Sequence, residues 1–269
     1  MRNLLKRRNH FSFLYLNGHK IIDWNPVCHV SRVYRDLGFD VSCFDVLDNS
    51  LVVGGMDGEL SVGNGLLQFD GIVNCVKIDS NYKCLVGSNS PELKSVDMET
   101  LSIQSTEIDF NINCIDTEDM LYIAGGDSCN SIIGDKRTSK PAITLTGHSD
   151  YIFACTINQT QLATGSQDKT AILYDIRNTK NHTQFQSNSA VRNLQFSDSL
   201  LVVGDHEDFV FVYDTLRIGR RQCIDFFGEL NGLSVGRSDL IFSVAGIEFG
   251  GIFEFQLVNF NRMSRSALL

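Results

Sequence analysis

Short apolar runs, separated by polar and glycine-containing segments, make up most of this chain. Residues 209–213 are typical, because every position in that run is apolar or aromatic instead of alternating with polar residues. A strand with this pattern is buried on both faces. No segment has the period of an amphipathic helix. The pattern therefore predicts an all-β protein built from many short strands.

Runs that resemble residues 152–155 recur along the chain at a nearly constant distance. They begin at Val41, Val73, Ile112, Ile152, Val191 and Leu230, with offsets of 32, 39, 40, 39 and 39 residues. A small-residue turn is predicted in each unit, at Gly54, Gly87, Gly125, Gly165 and Gly204. Ten residues after each glycine stands Asn64, Asp97, Asp135, Asp175 or Asp214. Self-similarity at one period predicts an array of structural repeats.

The residues before Val41 predict a further, diverged unit. Residues 11–16 and 20–24 are apolar runs on either side of Asn17-Gly18, which is a strong hairpin signal. We therefore count seven units, with six as the alternative. Residues 256–260 are the candidate for a strand that closes the array.

One unit resembles a WD repeat closely. Gly147-His148 lies 26 residues before Tyr174-Asp175, and Asp168 stands in a turn between two apolar runs. The array thus resembles a seven-bladed WD-repeat β-propeller, with six clear repeats and one diverged N-terminal blade, which is the expected all-β fold. The resemblance implies one propeller domain over residues 10–260, a basic tail at residues 1–9 and a C-terminal tail at residues 261–269.

Several longer segments are similar to a little-characterised group of WD-repeat proteins from fungi and plants. They are residues 51–60, 147–177, 208–214, 224–230 and 249–255. Because that group is itself mostly uncharacterised, the similarity implies a lineage and no particular function.

His148, Asp168 and Tyr174 together look like a catalytic triad. In WD-repeat proteins the equivalent residues form a hydrogen-bonded chain that locks the blade, and the resemblance implies this structural role here. Thr164 or Ser166 would supply the hydroxyl group of the chain, and Tyr174 stands where the family has tryptophan. A satisfied buried network of this kind rigidifies a fold.

Charge and cysteine usage narrow the partners and the location. The formal net charge is −9, whereas a general nucleic-acid binder needs a basic face, so no nucleic-acid partner is expected. The N-terminal region lacks the pattern of a secretory signal, and no apolar run is long enough to cross a membrane. The eight cysteines include no C-x-x-C pair. We expect a protein of the cytoplasm, the nucleus or both, with no membrane partner.

The sequence contains no recognisable catalytic or cofactor motif. It lacks a nucleophile elbow, a P-loop, an H-E-x-x-H motif and a dinucleotide fingerprint. Its six histidines have no partner at metal-ligand spacing. We therefore predict no catalytic residue, no metal, no cofactor and no small-molecule substrate. One alternative interpretation is an enzyme whose active site lies at the mouth of the propeller channel. Such an enzyme would need convergent carboxylates or a metal ion at that mouth.

The first candidates for partner binding are acidic turns and an aromatic pair. Turns after second strands carry Asp57, Glu59, Asp168, Glu207, Asp208 and Glu248. On one rim they would form an acidic ring for a basic peptide or tail, and otherwise they keep the protein soluble. Phe226 and Phe227 cannot both point inward on a regular strand. One of them is therefore an exposed anchor, unless a bulge or the next blade accommodates it.

A second candidate is the segment Tyr174-Asp175-Ile176-Arg177. It resembles a motif by which a subset of WD-repeat proteins docks to the propeller adaptor of a cullin-RING ubiquitin ligase. Arg177 would reach the adaptor, while Asp175 fixes the turn. The expected function is a non-catalytic, monomeric scaffold for protein–protein interactions in a multiprotein complex. The alternative is a substrate receptor of a cullin-RING ubiquitin ligase.

Overall fold

The computed structural model of the chain describes residues 3–9, 12–138, 141–236, 239–245 and 251–257. These ranges contain 26 β-strands and no α-helix. Within them, no helix is long and apolar enough to cross a membrane. The prediction of a repetitive all-β structure is confirmed.

The strands form six antiparallel sheets that follow each other along the chain. Sheet 1 consists of β1 (Leu5–Asn9), β2 (Ser12–Asn17), β3 (Lys20–Asn25) and β4 (Val30–Asp36). Sheet 2 consists of β5 (Val41–Leu47), β6 (Ser50–Gly55), β7 (Glu59–Val62) and β8 (Gly65–Gln68). Sheet 3 consists of β9 (Val73–Ile78), β10 (Lys83–Ser88), β11 (Glu92–Asp97) and β12 (Ile103–Glu107).

Sheets 4 and 5 are again four-stranded, and sheet 6 has six strands. Sheet 4 consists of β13 (Ile112–Glu118), β14 (Leu121–Gly126), β15 (Ser131–Asp135) and β16 (Pro141–Leu145). Sheet 5 consists of β17 (Ile152–Ile157), β18 (Gln161–Ser166), β19 (Thr170–Asp175) and β20 (Asn178–Gln186). Sheet 6 consists of β21 (Val191–Ser197), β22 (Leu200–Asp205), β23 (Glu207–Asp214), β24 (Arg221–Val235), β25 (Asp239–Ala245) and β26 (Gly251–Gln256).

The prediction of a seven-bladed WD-repeat β-propeller is wrong. The described strands form six separate sheets, none of which closes on itself. The N-terminal unit does form a sheet of its own. The units that begin at Val191 and Leu230, however, do not form two separate sheets. Strand β24 hydrogen-bonds to β23 along its first half and to β25 along its second half. The two units therefore share one six-stranded sheet.

The N-terminal end of the chain differs from the expected boundary, whereas the expected C-terminal boundary lies outside the described residues. Residues Leu5–Asn9, which were expected to belong to a basic tail, form β1 and pair with β2. At the other end, β26 ends at Gln256. The rest of the candidate closing strand from residue 258 onward, and the expected tail at residues 261–269, lie outside the described residues.

The first strands of the sheets lie side by side around one cavity. They contact each other in chain order, from β1 through β5, β9, β13, β17 and β21 to β24, and β24 contacts β1. They run in the same direction, because Ser42 near the start of β5 donates to the carbonyl of Val73 at the start of β9, while Asp45 accepts from the amide of Ile78 at its end. Equivalent contacts join β9 to β13 and β13 to β17.

The repeated glycines explain how closely the sheets approach each other. The sequence predicted them in turns, but they lie inside the second strands β6, β10, β14, β18 and β22. A Cβ atom added at Gly54, Gly87 or Gly125 would lie only 2.5, 2.6 or 2.5 Å from the first residue of the next sheet. Gly165 and Gly204 are equally crowded. The glycine is needed because a branched side chain occupies the space of its missing side chain. This branched residue belongs to the next sheet for the first four glycines and to β24 of the same sheet for Gly204.

The repeated aspartates shape the turns after the third strands. Each carboxylate accepts a hydrogen bond from the backbone amide two residues further on, which is an Asx turn. This bond is present at Asp97, Asp135, Asp175 and Asp214, with lengths of 3.1, 2.9, 2.9 and 3.0 Å.

The apolar core lies between neighbouring sheets. In β23, Val210 and Val212 pack into the cluster that includes β24 and β25, whereas Phe211 and Tyr213 pack against sheet 5. Both faces of the strand are therefore buried, and this accounts for the uninterrupted apolar run at residues 209–213.

Candidate functional site

A buried histidine joins the loop before β17 to the middle of sheet 5. His148 Nδ1 lies 2.9 Å from Asp168 Oδ2, and His148 Nε2 lies 2.8 Å from Thr164 Oγ1. The side chains of His148 and Asp168 are only 2% and 8% exposed. Because an ionised carboxylate can only accept, Nδ1 carries the proton and donates to Asp168, while Nε2 accepts from the Thr164 hydroxyl.

The surroundings hold His148 neutral and Asp168 ionised. Burial lowers the pKa of His148, although the charge of Asp168 acts in the opposite direction. Burial alone would raise the pKa of Asp168, but hydrogen bonds from the Thr170 hydroxyl and the Ser149 amide outweigh it and lower that pKa. This charge distribution fits a fixed network.

The other two candidates of the predicted network lie nearby with different partners. The Tyr174 hydroxyl donates to the carbonyl of Thr146 at 3.2 Å, and the Ser166 hydroxyl donates to the carbonyl of Asp150 at 3.2 Å. Thr164 is thus the hydroxyl that meets His148. Sequence reasoning missed Thr170, whose hydroxyl donates to Asp168 at 2.6 Å. Its place two residues after the turn aspartate was the available signal.

We call the edge of the sheets where the first strands begin the upper rim. Because all first strands run in the same direction, the connections from second to third strands and from fourth strands to the next sheet all lie there. The described connections contain seven aspartates and one lysine, Lys169. The aspartates are Asp40, Asp57, Asp70, Asp109, Asp127, Asp150 and Asp168.

The opposite edge, the lower rim, has a balanced charge. Its described connections contain five acidic and five basic residues. The acidic residues are Asp48, Asp79, Glu99, Asp119 and Asp198, and the basic residues are Lys136, Arg137, Arg177, Arg217 and Arg220. The excess of negative charge on the connections therefore belongs to the upper rim.

The acidic candidates from the sequence lie at the upper rim in different environments. Asp57 is exposed, and Glu59 beside it accepts from the Asp57 amide at 3.1 Å. Glu207 is exposed at the start of β23, whereas Asp208 accepts from the amide of Gly228 at 3.1 Å. Glu248 lies outside the described residues.

The aromatic pair does not offer an anchor at Phe226. This side chain is 8% exposed, and its ring centroid lies 5.1 Å from that of Phe242. Phe226 is therefore a core residue, because β24 is covered by β25 at this point. The side chain of Phe227 lies outside the described part of the structure.

Arg177 lies on the lower rim and folds back on its own turn. Its Nε and Nη2 lie 3.0 and 2.6 Å from the two carboxylate oxygens of Asp175, and these bonds lower the pKa of Asp175 to about 2. Arg137 holds Asp135 in the same way, at 2.9 and 2.5 Å. Sequence reasoning missed this second copy, although the two arginines are separated by one repeat.

The cavity between the first strands has a volume of about 890 Å³. Towards the lower rim, Lys6 pairs with Asp45 at 3.5 Å and Lys77 pairs with Asp116 at 2.9 Å. Attraction by Asp116 raises the pKa of Lys77 against the effect of burial. Burial alone would raise the pKa of Asp116, but the charge and hydrogen bond of Lys77, together with hydrogen bonds from the Ile157 amide and the Thr156 hydroxyl, lower that pKa. These pairs join neighbouring first strands.

Among the described residues, no group of three or more histidine, cysteine, aspartate or glutamate side chains is placed to hold a metal ion. All eight cysteines are free thiols. Cys43, Cys75, Cys114 and Cys155 line the cavity as part of its wall.

Comparisons with known proteins give the fold alone. No family model matches the chain, and no curated protein matches it. A similar solved structure is that of the computationally designed Ika8 protein, with a TM-score of 0.73 and 14% sequence identity. The similarity covers 93% of this chain and 82% of the designed one. At this identity the similarity supports a shared all-β architecture and carries no information on function.

Proposed function

We propose that this protein is a non-catalytic interaction scaffold whose upper rim docks basic segments of partner proteins. The observation that carries the proposal is the asymmetry of charge between the two rims. Seven aspartates against one lysine create a negative field at one edge, and such a field attracts and orients cationic partners. We also propose that the repeat is related to those of WD-repeat proteins, as its sequence resemblance suggests. The proposed location is the cytoplasm, the nucleus or both.

The rim also has acidic groups free to meet a partner. Asp57, Asp70 and Asp109 are exposed, and no hydrogen bond or ion pair to their carboxylates is found among the described residues. Exposed carboxylates keep their hydration shells and are available for ion pairs with lysine or arginine. Asp168 differs from them, because His148 and Thr170 already occupy its oxygens.

Two matched variants test the proposal by cross-linking and affinity capture from native cells. The upper-rim variant carries Asp57→Asn, Asp70→Asn and Asp109→Asn. The lower-rim control carries Asp48→Asn, Asp119→Asn and Asp198→Asn, which changes the net charge equally. We expect partners captured by the wild type to be lost from the upper-rim variant and kept by the control. Equal capture by both variants would refute docking at the upper rim.

A second candidate function is the substrate receptor of a cullin-RING ubiquitin ligase. It is favoured by the repetition of the same arginine turn in sheets 4 and 5, which places Arg137 and Arg177 on the lower rim. Capture of the adaptor by the wild type and its loss from Arg177→Ala would support this function. Retention of the adaptor by that variant, or its absence from the wild-type capture, would exclude docking through Arg177.

A further inference from the structure

The upper end of the cavity contains a fixed arginine. Arg192 and Phe153 are the second residues of β21 and β17, and both line the cavity. The guanidinium carbon of Arg192 lies 5.3 Å from the centroid of the Phe153 ring, in a cation–π contact. This contact holds the guanidinium plane in place before any ligand arrives, which reduces the entropy lost on binding.

Hydrogen-bonding groups at this end are incompletely used. Arg192 Nε is buried and has no hydrogen-bond partner among the described residues. Asn193 also lines the cavity and is 4% exposed. Its Oδ1 atom likewise has no hydrogen-bond partner among the described residues. Buried polar groups are normally satisfied, so Arg192 carries hydrogen-bonding capacity that the described residues do not use.

The carboxylates that line the cavity are Asp45, Asp116 and Glu118. Glu118 is the last residue of β13, at the lower end of that strand. Asp45 and Asp116 pair with Lys6 and Lys77. They lie three residues further along their strands than the level of Arg192, which corresponds to about 10 Å. Arg192 is therefore a cation at the mouth of the cavity for which the described residues provide no carboxylate partner, and the aspartates of the upper rim surround that mouth.

We propose that the upper mouth of the cavity binds the C-terminal carboxylate of a partner protein whose last residues are basic. The charge order requires this arrangement: an anionic group reaches Arg192, and cationic groups behind it meet the acidic rim. The planar guanidinium of Arg192 suits a carboxylate, which it can bind through two parallel hydrogen bonds. A chain terminus brings only one segment of chain into the mouth of the cavity. An internal acidic residue would bring two segments, one on each side of it. This inference rests on the proposed docking function of the upper rim and specifies its partner.

The test compares two forms of one probe by fluorescence anisotropy. The probe is a short peptide of alternating lysine and glycine with a fluorophore at its N-terminus, prepared as the free acid and as the C-terminal amide. We expect the wild type to bind the free acid about tenfold more tightly than the amide, as for the loss of a charge-assisted hydrogen bond. In Arg192→Gln the two forms should bind equally, at the affinity of the amide. Arg217→Gln on the lower rim is the matched control and should keep the difference.

A second variant protects the test against misfolding of Arg192→Gln. Phe153→Leu keeps the charge of Arg192 but removes the ring that fixes it, so the preference for the free acid should shrink without disappearing. Equal binding of both forms by the wild type would overturn the carboxylate site while leaving the acidic rim in place. Failure of both forms to bind would overturn the rim as a docking surface, and the carboxylate site with it.

Discussion

Replacing Gly87 by alanine tests the claim that the repeated glycines set the distance between sheets. A Cβ atom at this position would lie 2.6 Å from Ile112 Cγ2, 2.7 Å from Cys75 Sγ and 2.8 Å from Ile112 Cβ. An ordinary contact needs about 3.5–4.0 Å, so β9, β10 and β13 must separate by about 1 Å. Overpacking of this size costs about 1–3 kcal/mol of unfolding free energy. For a chain of this length we expect the Tm to fall by about 2–10 °C.

The assay is urea unfolding followed by circular dichroism, with two comparisons. Gly38→Ala is the matched control, because a Cβ atom there meets nothing within 4 Å. It should leave stability unchanged or raise it by about 0.4–1 kcal/mol, since alanine restricts the unfolded chain. Combining Gly87→Ala with Ile112→Ala should cost less than the sum of the single changes, because the second substitution removes Ile112 Cγ2, the atom of the shortest contact. Wild-type stability of Gly87→Ala would refute the argument.

Three further outcomes follow from the buried polar groups. His148→Ala leaves Asp168 and Thr164 without their shared partner and should cost about 1–3 kcal/mol in urea unfolding, whereas His29→Asn at an exposed turn should cost nearly nothing. The folded-state pKa of His148 is lowered below its usual value of 6.5, so stability is complete above that pH and is lost as the pH falls below it. A pH series should show this loss in the wild type and a smaller one in His148→Ala. Lys77→Met leaves the carboxylate of Asp116 without its cation and should lower the free energy of unfolding by about 2–3 kcal/mol. This loss is smaller than for a fully buried ion pair, because 32% of the Lys77 side chain is exposed. The additional change Asp116→Asn should recover part of the lost stability in urea unfolding.

The repeat could be predicted from the sequence because each unit meets the same physical demands. A strand buried on both faces has to be apolar throughout, and an Asx turn needs an acceptor at one position, which fixes Asp97, Asp135, Asp175 and Asp214 at equal spacing. The glycines were located correctly but interpreted wrongly. Glycine is common in turns, and only the structure shows that Ile112 and its equivalents occupy the space beside it.

The number of sheets could not be predicted for a different reason. The spacing from Val191 to Leu230 matches the other units, but spacing does not reveal whether a strand ends between two units. The hydrogen bonds of β24 to β23 and β25 decide this, and they depend on contacts between distant parts of the chain. The proposed role of Arg192 was hidden in the same way, because nothing in the sequence shows that Asp45 and Asp116 pair with Lys6 and Lys77.

The most direct test of the account is the binding of a basic peptide amide to the wild type and to the two rim variants. Anisotropy titrations at low and at moderate salt would measure the affinity of the alternating lysine–glycine amide for each protein. We predict that the upper-rim variant, with Asp57, Asp70 and Asp109 changed to asparagine, binds about 3- to 150-fold more weakly at low salt, from about 0.2–1 kcal/mol for each of the three exposed charges. The difference should shrink as salt rises, and the lower-rim control should bind like the wild type. Equal weakening by both variants would show that only net charge matters and would contradict a docking surface on the upper rim.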